Sequence, residues 1–224
     1  MNMKKSAFAV ITTVSLLSFS FGSPMFAAGG TFKDIDTVTG KDKINALKAQ
    51  GLIKGISDTQ FLPASKVTTA QGVQFISGGL QLSLAAIDFN KAPVASGIFS
   101  KVKDNAWYAE AFINAYYNGI DISADIDPAK PITKELFTNL LIQGVEKVGN
   151  LPMIKIVPVD IADDDALNPS FQGSVQRSLK YNINKLDANG KFNPKSELTR
   201  AEAAVMLYNA LEYLNSRSNT TSGS

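Results

Sequence analysis

The sequence predicts an all-α protein built from three helix–loop–helix repeats. Three segments carry the same order of features, and the threonine that begins the second helix of each repeat recurs at spacings of 65 and 66 residues. These threonines are Thr68, Thr133 and Thr199. Apolar residues recur at helical spacing within each segment, whereas turn residues separate the segments. One helix pair cannot bury so wide an apolar face alone, so the three pairs are expected to pack together.

Two apolar stripes illustrate the predicted helices. The stripe of the second repeat consists of Tyr108, Ala111, Phe112, Ala115 and Tyr116. Gly119 follows it, at the place where glycine commonly ends a helix. The stripe of the third repeat consists of Ala201, Ala204, Val205, Tyr208 and Leu211. Such stripes predict core-facing helices rather than a cofactor or stacking site.

Three segments lie outside the predicted helix pairs. Residues 80–98 are partly apolar and favour either an extra helix or a packed loop. Residues 148–159 are predicted to be extended, because Pro152 and Pro158 disfavour helix in the residues that precede them. The tail at residues 216–224 is rich in Ser, Thr and Gly and is predicted to be disordered.

The N-terminus has the three-part layout of a secretory signal peptide. Lys4 and Lys5 form a positive start, residues 7–21 carry no charge, and small residues follow at 23–30. The apolar stretch is shorter than the ~20 residues that span a membrane. We therefore expect cleavage after Gly29 and an exported, soluble chain without a later transmembrane segment.

Composition excludes many functions. The chain has no histidine and no cysteine, which removes imidazole catalysis, thiol chemistry, disulfides and thiolate metal sites. The 22 basic residues exceed the 20 acidic ones only by the two lysines of the predicted signal, so the mature chain is neutral. A neutral chain with three arginines is a poor candidate for nucleic-acid binding.

The predicted division of the chain follows from the signal and the repeats. It comprises a signal peptide (1–29), repeat 1 (30–90), repeat 2 (91–150), repeat 3 (151–215) and a disordered tail (216–224). At 45% hydrophobic and 19% charged residues, the repeats can bury a core.

The repeat motifs resemble those of the S-layer homology family. The family pattern has Phe-x-Asp, an aromatic residue before the first helix, Asp-x-x-Phe-x-Pro in the loop and Ile-Thr-Arg-Ala-Glu opening the second helix. The best matches are Leu198-Thr199-Arg200-Ala201-Glu202, Trp107-Tyr108-Ala109 and Phe61-Leu62-Pro63. The resemblance covers residues 31–215 as three copies, of which some motifs are degenerate.

The resemblance implies a pseudo-threefold arrangement in which three copies share a central helical bundle. It also implies non-covalent binding to an anionic secondary polysaccharide of a bacterial cell wall, commonly pyruvylated, and location at the cell wall or S-layer. In the family the basic residue of the Thr-Arg-Ala-Glu motif helps line the grooves between copies, and that role falls here on Arg200.

The copies depart unequally from the family pattern. The arginine position holds Thr69 in the first copy and Lys134 in the second. Trp107 stands alone at its position, and the third copy has Asn182 and Ile183 where the first helix usually ends in glycine. At most one or two grooves are therefore expected to be fully equipped, with Lys134 as a weaker cation and Trp107 as a helper.

The residues of the third motif have different predicted roles. Thr199 and Glu202 fit a capping box, which satisfies free N–H groups of the first helical turn, and both are also candidate glycan-binding residues. Arg200 places a cation where the helix dipole disfavours one. It either grips a ligand carboxylate with two parallel hydrogen bonds, helped by spare helix N–H groups, or forms a salt bridge to an acid of another copy.

The acidic residues favour turns over metal binding or catalysis. Asp160, Asp163, Asp164 and Asp165 could chelate calcium, but a solvated turn before a helix is favoured. Leu198 occupies the twelfth position counted from Asp187, which excludes an EF-hand. No carboxylate pair has an active-site context, so we expect no catalytic residues, no metal and no cofactor.

The leading hypothesis is thus a non-catalytic, secreted module that binds a cell-wall polysaccharide. The alternative is a degenerate module that binds a protein partner, as an inhibitor, scaffold or assembly component. The unequal motifs favour the alternative, whereas the intact motif at Arg200 favours glycan binding.

Overall fold

The computed structural model describes residues 31–152 and 156–221, so the predicted signal peptide lies outside the described residues. The described part is all-α, as predicted. Its α-helices are α1 (Lys41–Ala49), α2 (Thr69–Gly79), α3 (Ala109–Tyr117), α4 (Lys134–Val148), α5 (Gln172–Lys180) and α6 (Arg200–Thr221). No described helix combines the length and apolar character that crossing a bilayer requires.

The first helices of the three pairs are alike. Each of α1, α3 and α5 has nine residues and is followed by a residue in the left-handed conformation. These residues are Gly51, Gly119 and Asn182, with φ of 70°, 81° and 56°. Asparagine tolerates this conformation better than most residues with a Cβ atom. Asn182 therefore ends α5 in the way that glycine ends the other two helices.

The helices pack in a circular order. The second helices of the pairs, α2, α4 and α6, all contact one another. Each first helix packs on the second helix of the preceding pair: α3 on α2, α5 on α4, and α1 on α6. The last contact joins the beginning of the described chain to its end. One main core draws buried residues from all three pairs, and Ile161, Leu167, Val175 and Phe192 form a satellite core in the third.

Helix α6 is longer than the sequence predicts. It continues to Thr221, whereas the residues after Asn215 were expected to form a disordered tail. The Ser216 hydroxyl donates to the Tyr213 carbonyl at 2.7 Å, and the Ser218 hydroxyl donates to the Asn215 carbonyl at 2.9 Å. Once a helix is nucleated, each further residue adds one backbone hydrogen bond at little cost, so a packed helix extends through such residues. Residues 222–224 lie outside the described part.

The segment after α2 is a packed loop rather than an extra α-helix. Its Leu82 side chain is buried, and a single 3-10 turn covers Ala95–Gly97. The Asn114 amide of α3 donates to the Leu82 carbonyl at 3.1 Å, and the Asn118 amide donates to the Ser83 carbonyl at 3.1 Å. These bonds hold the loop against α3. After α4, residues 156–160 form neither helix nor bridge.

Substitutions at two adjacent glycines of α2 test how tightly α2 packs against α6. A Cβ atom on Gly79 would lie 2.4 Å from a Leu207 methyl carbon of α6, whereas one on Gly78 meets only Gln74, at 3.9 Å. We predict that Gly79→Ala lowers the free energy of unfolding by about 1–3 kcal/mol through overpacking. Gly78→Ala should be neutral or stabilising by up to about 1 kcal/mol. Urea denaturation measures both, and equal stabilities for the two variants would contradict this packing.

Candidate functional site

Three backbone hydrogen bonds form a closed ring where the pairs meet. The Val67 N–H donates to the Leu198 carbonyl at 2.9 Å, the Leu198 N–H to the Ile132 carbonyl at 3.1 Å, and the Ile132 N–H to the Val67 carbonyl at 2.9 Å. Each of these residues directly precedes the threonine that caps a second helix. The ring therefore brings the N-termini of α2, α4 and α6 together.

Each of these helix starts bonds to the loop of the following pair in the circle. The N–H groups of Thr69, Lys134 and Arg200 donate to the carbonyls of Lys130, Ser196 and Ser65 at 2.8, 2.8 and 2.9 Å. The next N–H group of each helix donates to the carbonyl of Pro128, Pro194 or Pro63, each at 3.0 Å. The expectation of spare N–H groups beside Arg200 is therefore wrong, because the loop of the first pair already occupies them.

This order defines three junctions, one for each residue at the arginine position of the motif. The 3–1 junction joins Arg200 to the loop at residues 54–65. The 2–3 junction joins Lys134 to the loop at residues 187–196. The 1–2 junction joins Thr69 to the loop at residues 124–130. The backbone is alike in the three, so the side chains determine how they differ.

At the 3–1 junction the guanidinium of Arg200 is clamped by the first pair. Its Nε donates to the Phe61 carbonyl at 2.8 Å and an Nη donates to the Lys54 carbonyl at 3.0 Å. The rings of Phe61 and Phe75 lie 4.7 and 5.4 Å from the guanidinium carbon. Arg200 is only 8% exposed. It therefore holds the third pair onto the first through backbone carbonyls, a partner that the sequence did not suggest.

Asp34 is the carboxylate beside Arg200. It accepts hydrogen bonds from the N–H groups of Phe61, at 2.9 and 3.1 Å, and Leu62, at 2.8 Å. It attracts Arg200 electrostatically, but the two residues form no direct ion pair. Burial raises the pKa of Asp34, yet these N–H groups and Arg200 more than offset it and hold the pKa below the ordinary value. Burial lowers the pKa of Arg200, and Asp34 offsets only part of that effect.

At the 2–3 junction the cation is surrounded by acids. The Lys134 ammonium lies 4.5 Å from the centre of the Phe192 ring. Burial lowers its pKa, while the carboxylates of Glu202, Asp163 and Asp187 act in the opposite direction. Three carboxylates thus act electrostatically on this lysine, whereas one acts on Arg200. The same loop carries Lys191, which attracts Asp187, and Lys195, which pairs with Glu135. The acids around Lys134 make this junction less favourable for an anionic ligand than the 3–1 junction.

Glu135 occupies the alanine position of the motif in the second copy and has a structural role there. This carboxylate is 4% exposed and follows Lys134 at the start of α4. One of its oxygens accepts the Asn168 N–H at 2.9 Å, and the other pairs with the Lys195 ammonium at 2.5 Å. Glu135 therefore fastens two segments of the third pair to the second.

At the 1–2 junction no cation occupies the arginine position. The Thr69 hydroxyl donates to the Lys130 carbonyl at 3.1 Å, and Thr69 is buried. Lys101 takes the chain position that Asp34 has in the first pair, because the preceding residues, Ser100 and Lys33, make the same loop hydrogen bond at 2.7 and 2.8 Å. The arginine and the carboxylate of the 3–1 junction are therefore replaced here by Thr69 and Lys101.

Thr199 and Glu202 form the predicted capping box. The Glu202 N–H donates to the Thr199 hydroxyl oxygen at 3.2 Å, and the Thr199 N–H donates to the Glu202 carboxylate at 2.8 Å. The Thr199 hydroxyl itself donates to the same carboxylate at 2.7 Å. Thr68 and Gln71 form an equivalent box on α2. These contacts engage Thr199 and Glu202 in holding the start of α6.

Trp107 stands apart from the two cations. It precedes α3, is 66% exposed, and its ring meets Tyr108 edge to face at 5.2 Å. None of its contacts with described residues involves Arg200 or Lys134. The structure thus brings Arg200, Thr199 and Glu202 to one helix start but does not bring Trp107 to them.

Asp163 is a residue whose position the sequence pattern left ambiguous. Its carboxylate accepts the Phe192 N–H at 2.7 Å and the Asn193 N–H at 2.8 Å, as Asp34 does in the first pair. The Phe-x-Asp motif of the third copy is therefore carried by Ile161 and Asp163. The Phe-x-Asp spacing of the first copy was the signal that could have found it. These bonds also give Asp163 a structural role in place of calcium binding.

Comparison with known proteins identifies the family. The S-layer homology domain matches residues 31–71 and 166–204. Over 185 residues the chain is 33% identical to an amylopullulanase of Thermoanaerobacterium thermosulfurigenes, a match that covers 81% of this chain and 10% of that protein. Over 188 residues it is 32% identical to the exoglucanase XynX of Acetivibrio thermocellus, covering 83% of this chain and 16% of that protein. The chain belongs to the S-layer homology domain family.

A surface protein is among the relatives as well. The surface-layer 125 kDa protein of Lysinibacillus sphaericus is 25% identical over 219 residues, which cover 94% of this chain and 17% of that protein. The chain thus spans between 10% and 17% of the length of these three relatives. What it shares with them is an S-layer homology domain, which is a non-catalytic module for anchoring at the cell wall or surface layer.

The Asp34 contacts predict a pH dependence of stability. A carboxyl whose pKa is lowered by folding contributes stability above its unfolded pKa, and this contribution is lost as pH falls through the folded pKa. We expect the unfolding free energy to drop below about pH 3.8, the ordinary value for this group. Asp34→Asn should reduce that drop. Chemical denaturation between pH 6 and pH 2 tests it, and parallel pH profiles for both proteins would contradict it.

The hydrogen bonds of Arg200 to the Phe61 and Lys54 carbonyls predict that its loss destabilises the fold more than the loss of Lys134. Arg200→Ala leaves the carbonyls of Phe61 and Lys54 without their donor, so unfolding free energy should fall by about 1–3 kcal/mol. Lys134→Ala is the matched control, because the Lys134 ammonium donates no hydrogen bond to a described residue, and the backbone N–H bond to Ser196 is kept in the variant. It should cost less than Arg200→Ala. Urea denaturation compares them, and an equal or larger loss for Lys134→Ala would refute the clamp.

Proposed function

We propose that this chain attaches non-covalently to an anionic secondary polysaccharide of a bacterial cell wall, with the 3–1 junction as its binding site. The observation that carries the proposal is the charge at the three junctions. One carboxylate acts electrostatically on Arg200 and three act on Lys134, whereas Thr69 supplies no cation. An anionic ligand is therefore favoured most strongly at the 3–1 junction.

Arg200 retains donor capacity for a ligand. A guanidinium has five N–H groups, and among the described residues Arg200 uses two of them, both for carbonyls. These carbonyls and the Phe61 ring also fix the orientation of the guanidinium plane, so a ligand carboxylate would meet a preorganised donor. Because burial disfavours the charged guanidinium and Asp34 compensates only partly, an entering carboxylate would supply the missing counter-charge.

The other predicted binding residues have supporting roles in this proposal. Thr199 and Glu202 hold the first turn of α6, from which Arg200 projects. Lys134 contributes little, because the acids around it neutralise its attraction for an anion. Trp107 offers an exposed ring for the apolar face of a sugar farther along the same polymer.

The proposed location follows from the same family. A polysaccharide anchor acts outside the cytoplasmic membrane, which agrees with the signal peptide predicted for residues 1–29. We propose that the chain is exported and held at the cell wall or surface layer. A pyruvate ketal is the proposed anionic group, since its carboxylate suits the planar fork of an arginine.

Co-sedimentation with purified cell walls tests the function. The folded protein should pellet with intact walls and stay in solution with walls stripped of their secondary polysaccharide. Arg200→Lys keeps the charge but loses the fork, and it should weaken binding by roughly tenfold or more. Lys134→Ala is the matched control and should bind like the unaltered protein. Retention on stripped walls, or unchanged binding of Arg200→Lys and Arg200→Ala, would refute the proposal.

A second variant tests the charge argument directly. Glu202→Gln removes one acid beside Lys134 and keeps the capping box, since Gln71 performs the same role on α2. It should bind anionic polysaccharide as tightly as the unaltered protein or more tightly. Weaker binding of a folded Glu202→Gln protein would show that Glu202 contacts the ligand and that charge does not separate the junctions.

A further inference from the structure

A cleft of about 500 Å³ lies between α3 and the packed loop that precedes it, away from the residues proposed for anion binding. This volume falls within the range of small-molecule sites, which is about 300–1,000 Å³. The loop contributes Leu82, Leu84 and Pro93, and α3 contributes Ile113. These side chains give the cleft apolar walls.

The charged groups of the cleft are carboxylates without a cation, and the polar side chains of Ser83 and Asn114 lie beside them. Asp104 and Glu110 line it, and no lysine or arginine is among the described residues that do. The Asp104 carboxylate accepts the N–H and the hydroxyl of Ser96, both at 2.8 Å. Glu110 is exposed, and its carboxylate makes no hydrogen bond or ion pair with another described residue. An anionic ligand would be repelled here, whereas a ligand with many hydroxyl donors would find acceptors.

Two aromatic rings join the same two elements. Phe89 of the loop meets Tyr117, the last residue of α3, edge to face with ring centres 4.8 Å apart. Tyr117 is 37% exposed, and Tyr116 beside it is 44% exposed. Edge-to-face contacts hold these rings in place, which lowers the entropy lost when a ligand stacks on them. Apolar C–H faces of pyranose rings suit such aromatic surfaces.

The small size of the exposed aromatic surface argues against a protein partner. Two tyrosines that are about two-fifths exposed present on the order of 200 Å², since an aromatic side chain has about 150–250 Å² in all. A stable protein interface covers roughly 800 Å² on each partner. A single polymer strand needs far less.

We propose that this cleft, walled by α3 and residues 82–93, is a second glycan site that takes a neutral polysaccharide strand. Sugar hydroxyls donate to Glu110 and Asp104, and pyranose faces pack on the apolar wall. The strand continues beyond the lining residues onto the Phe89–Tyr117 pair, which joins the same two elements. The site is independent of Arg200. The chain would thus contact two polymers that differ in charge, an anionic one at the 3–1 junction and a neutral one at α3.

Calorimetry with three six-unit oligosaccharides of different charge tests the site. The probes are β-1,4-linked glucose, galacturonic acid and glucosamine hexamers, titrated into the purified protein. The glucose hexamer should bind and should shift backbone NMR signals of residues 82–85 and 109–114. Binding of the galacturonic acid hexamer in the cleft, or no binding of the glucose hexamer at millimolar concentration, would overturn the proposal.

Variants of Glu110 test whether its side chain accepts hydrogen bonds from the ligand or binds a cation. Glu110→Ala should weaken glucose-hexamer binding about fivefold or more, since it removes a hydrogen bond to a charged acceptor. Asp42→Ala is the matched control, because Asp42 occupies the same second position of α1 and should leave binding unchanged. Glu110→Gln should retain most binding, since an amide oxygen still accepts a hydroxyl. Loss of binding with Glu110→Gln, or preferential binding of the glucosamine hexamer, would instead indicate a cation site.

Arg200 variants separate this site from the proposed anion site. Arg200→Lys should reduce wall retention and leave glucose-hexamer binding unchanged, whereas Glu110→Ala should do the reverse. If Arg200→Lys abolished both activities, the two sites would not be independent and the proposal would fail. Failure of wall binding alone would leave the neutral site standing.

Discussion

The ring of backbone hydrogen bonds among Val67, Ile132 and Leu198 is the constraint on which the rest of the structure depends. Each residue donates to one neighbour in the ring and accepts from the other. Each also precedes a helix, so the ring sets where α2, α4 and α6 start relative to one another. Unpaired N–H groups at a helix start are costly when buried. Here the loop of another pair satisfies them, so each pair completes a helix start in its neighbour.

That shared backbone carries three unequal sets of side chains. Arg200 donates hydrogen bonds to carbonyls of the first pair, and Lys134 lies over the Phe192 ring near acidic residues. The Thr69 hydroxyl donates to the Lys130 carbonyl. The scaffold thus presents one position three times and gives each position a different side chain in a different electrostatic environment. This difference is the physical basis for assigning anion binding to a single junction.

Two candidate glycan-binding residues, together with other acidic side chains, have structural roles at the junctions. Thr199 and Glu202 form the cap of α6, Glu135 secures the third pair to α4, and Asp163 bonds to backbone N–H groups. Between α4 and α5 the buried Asn139 and Ser174 side chains bond to each other at 2.8 Å. A buried polar group without a partner would cost about 1–3 kcal/mol. Much of the apparent binding motif is therefore needed to hold the junctions together.

The sequence by itself determined the all-α class, the family and the helix caps at Thr68 and Thr199. These features depend on local spacing, so periodic apolar residues and a Thr-x-x-Glu pair reveal them. It placed Arg200 at a helix start but could not supply its partners, because the Phe61 and Lys54 carbonyls lie more than a hundred residues away in the chain. Only the tertiary structure decided that Asn182 ends α5 and that α6 runs to Thr221. It also decided that three carboxylates act electrostatically on Lys134. Contacts between segments distant in sequence decide such features, and no local pattern records them.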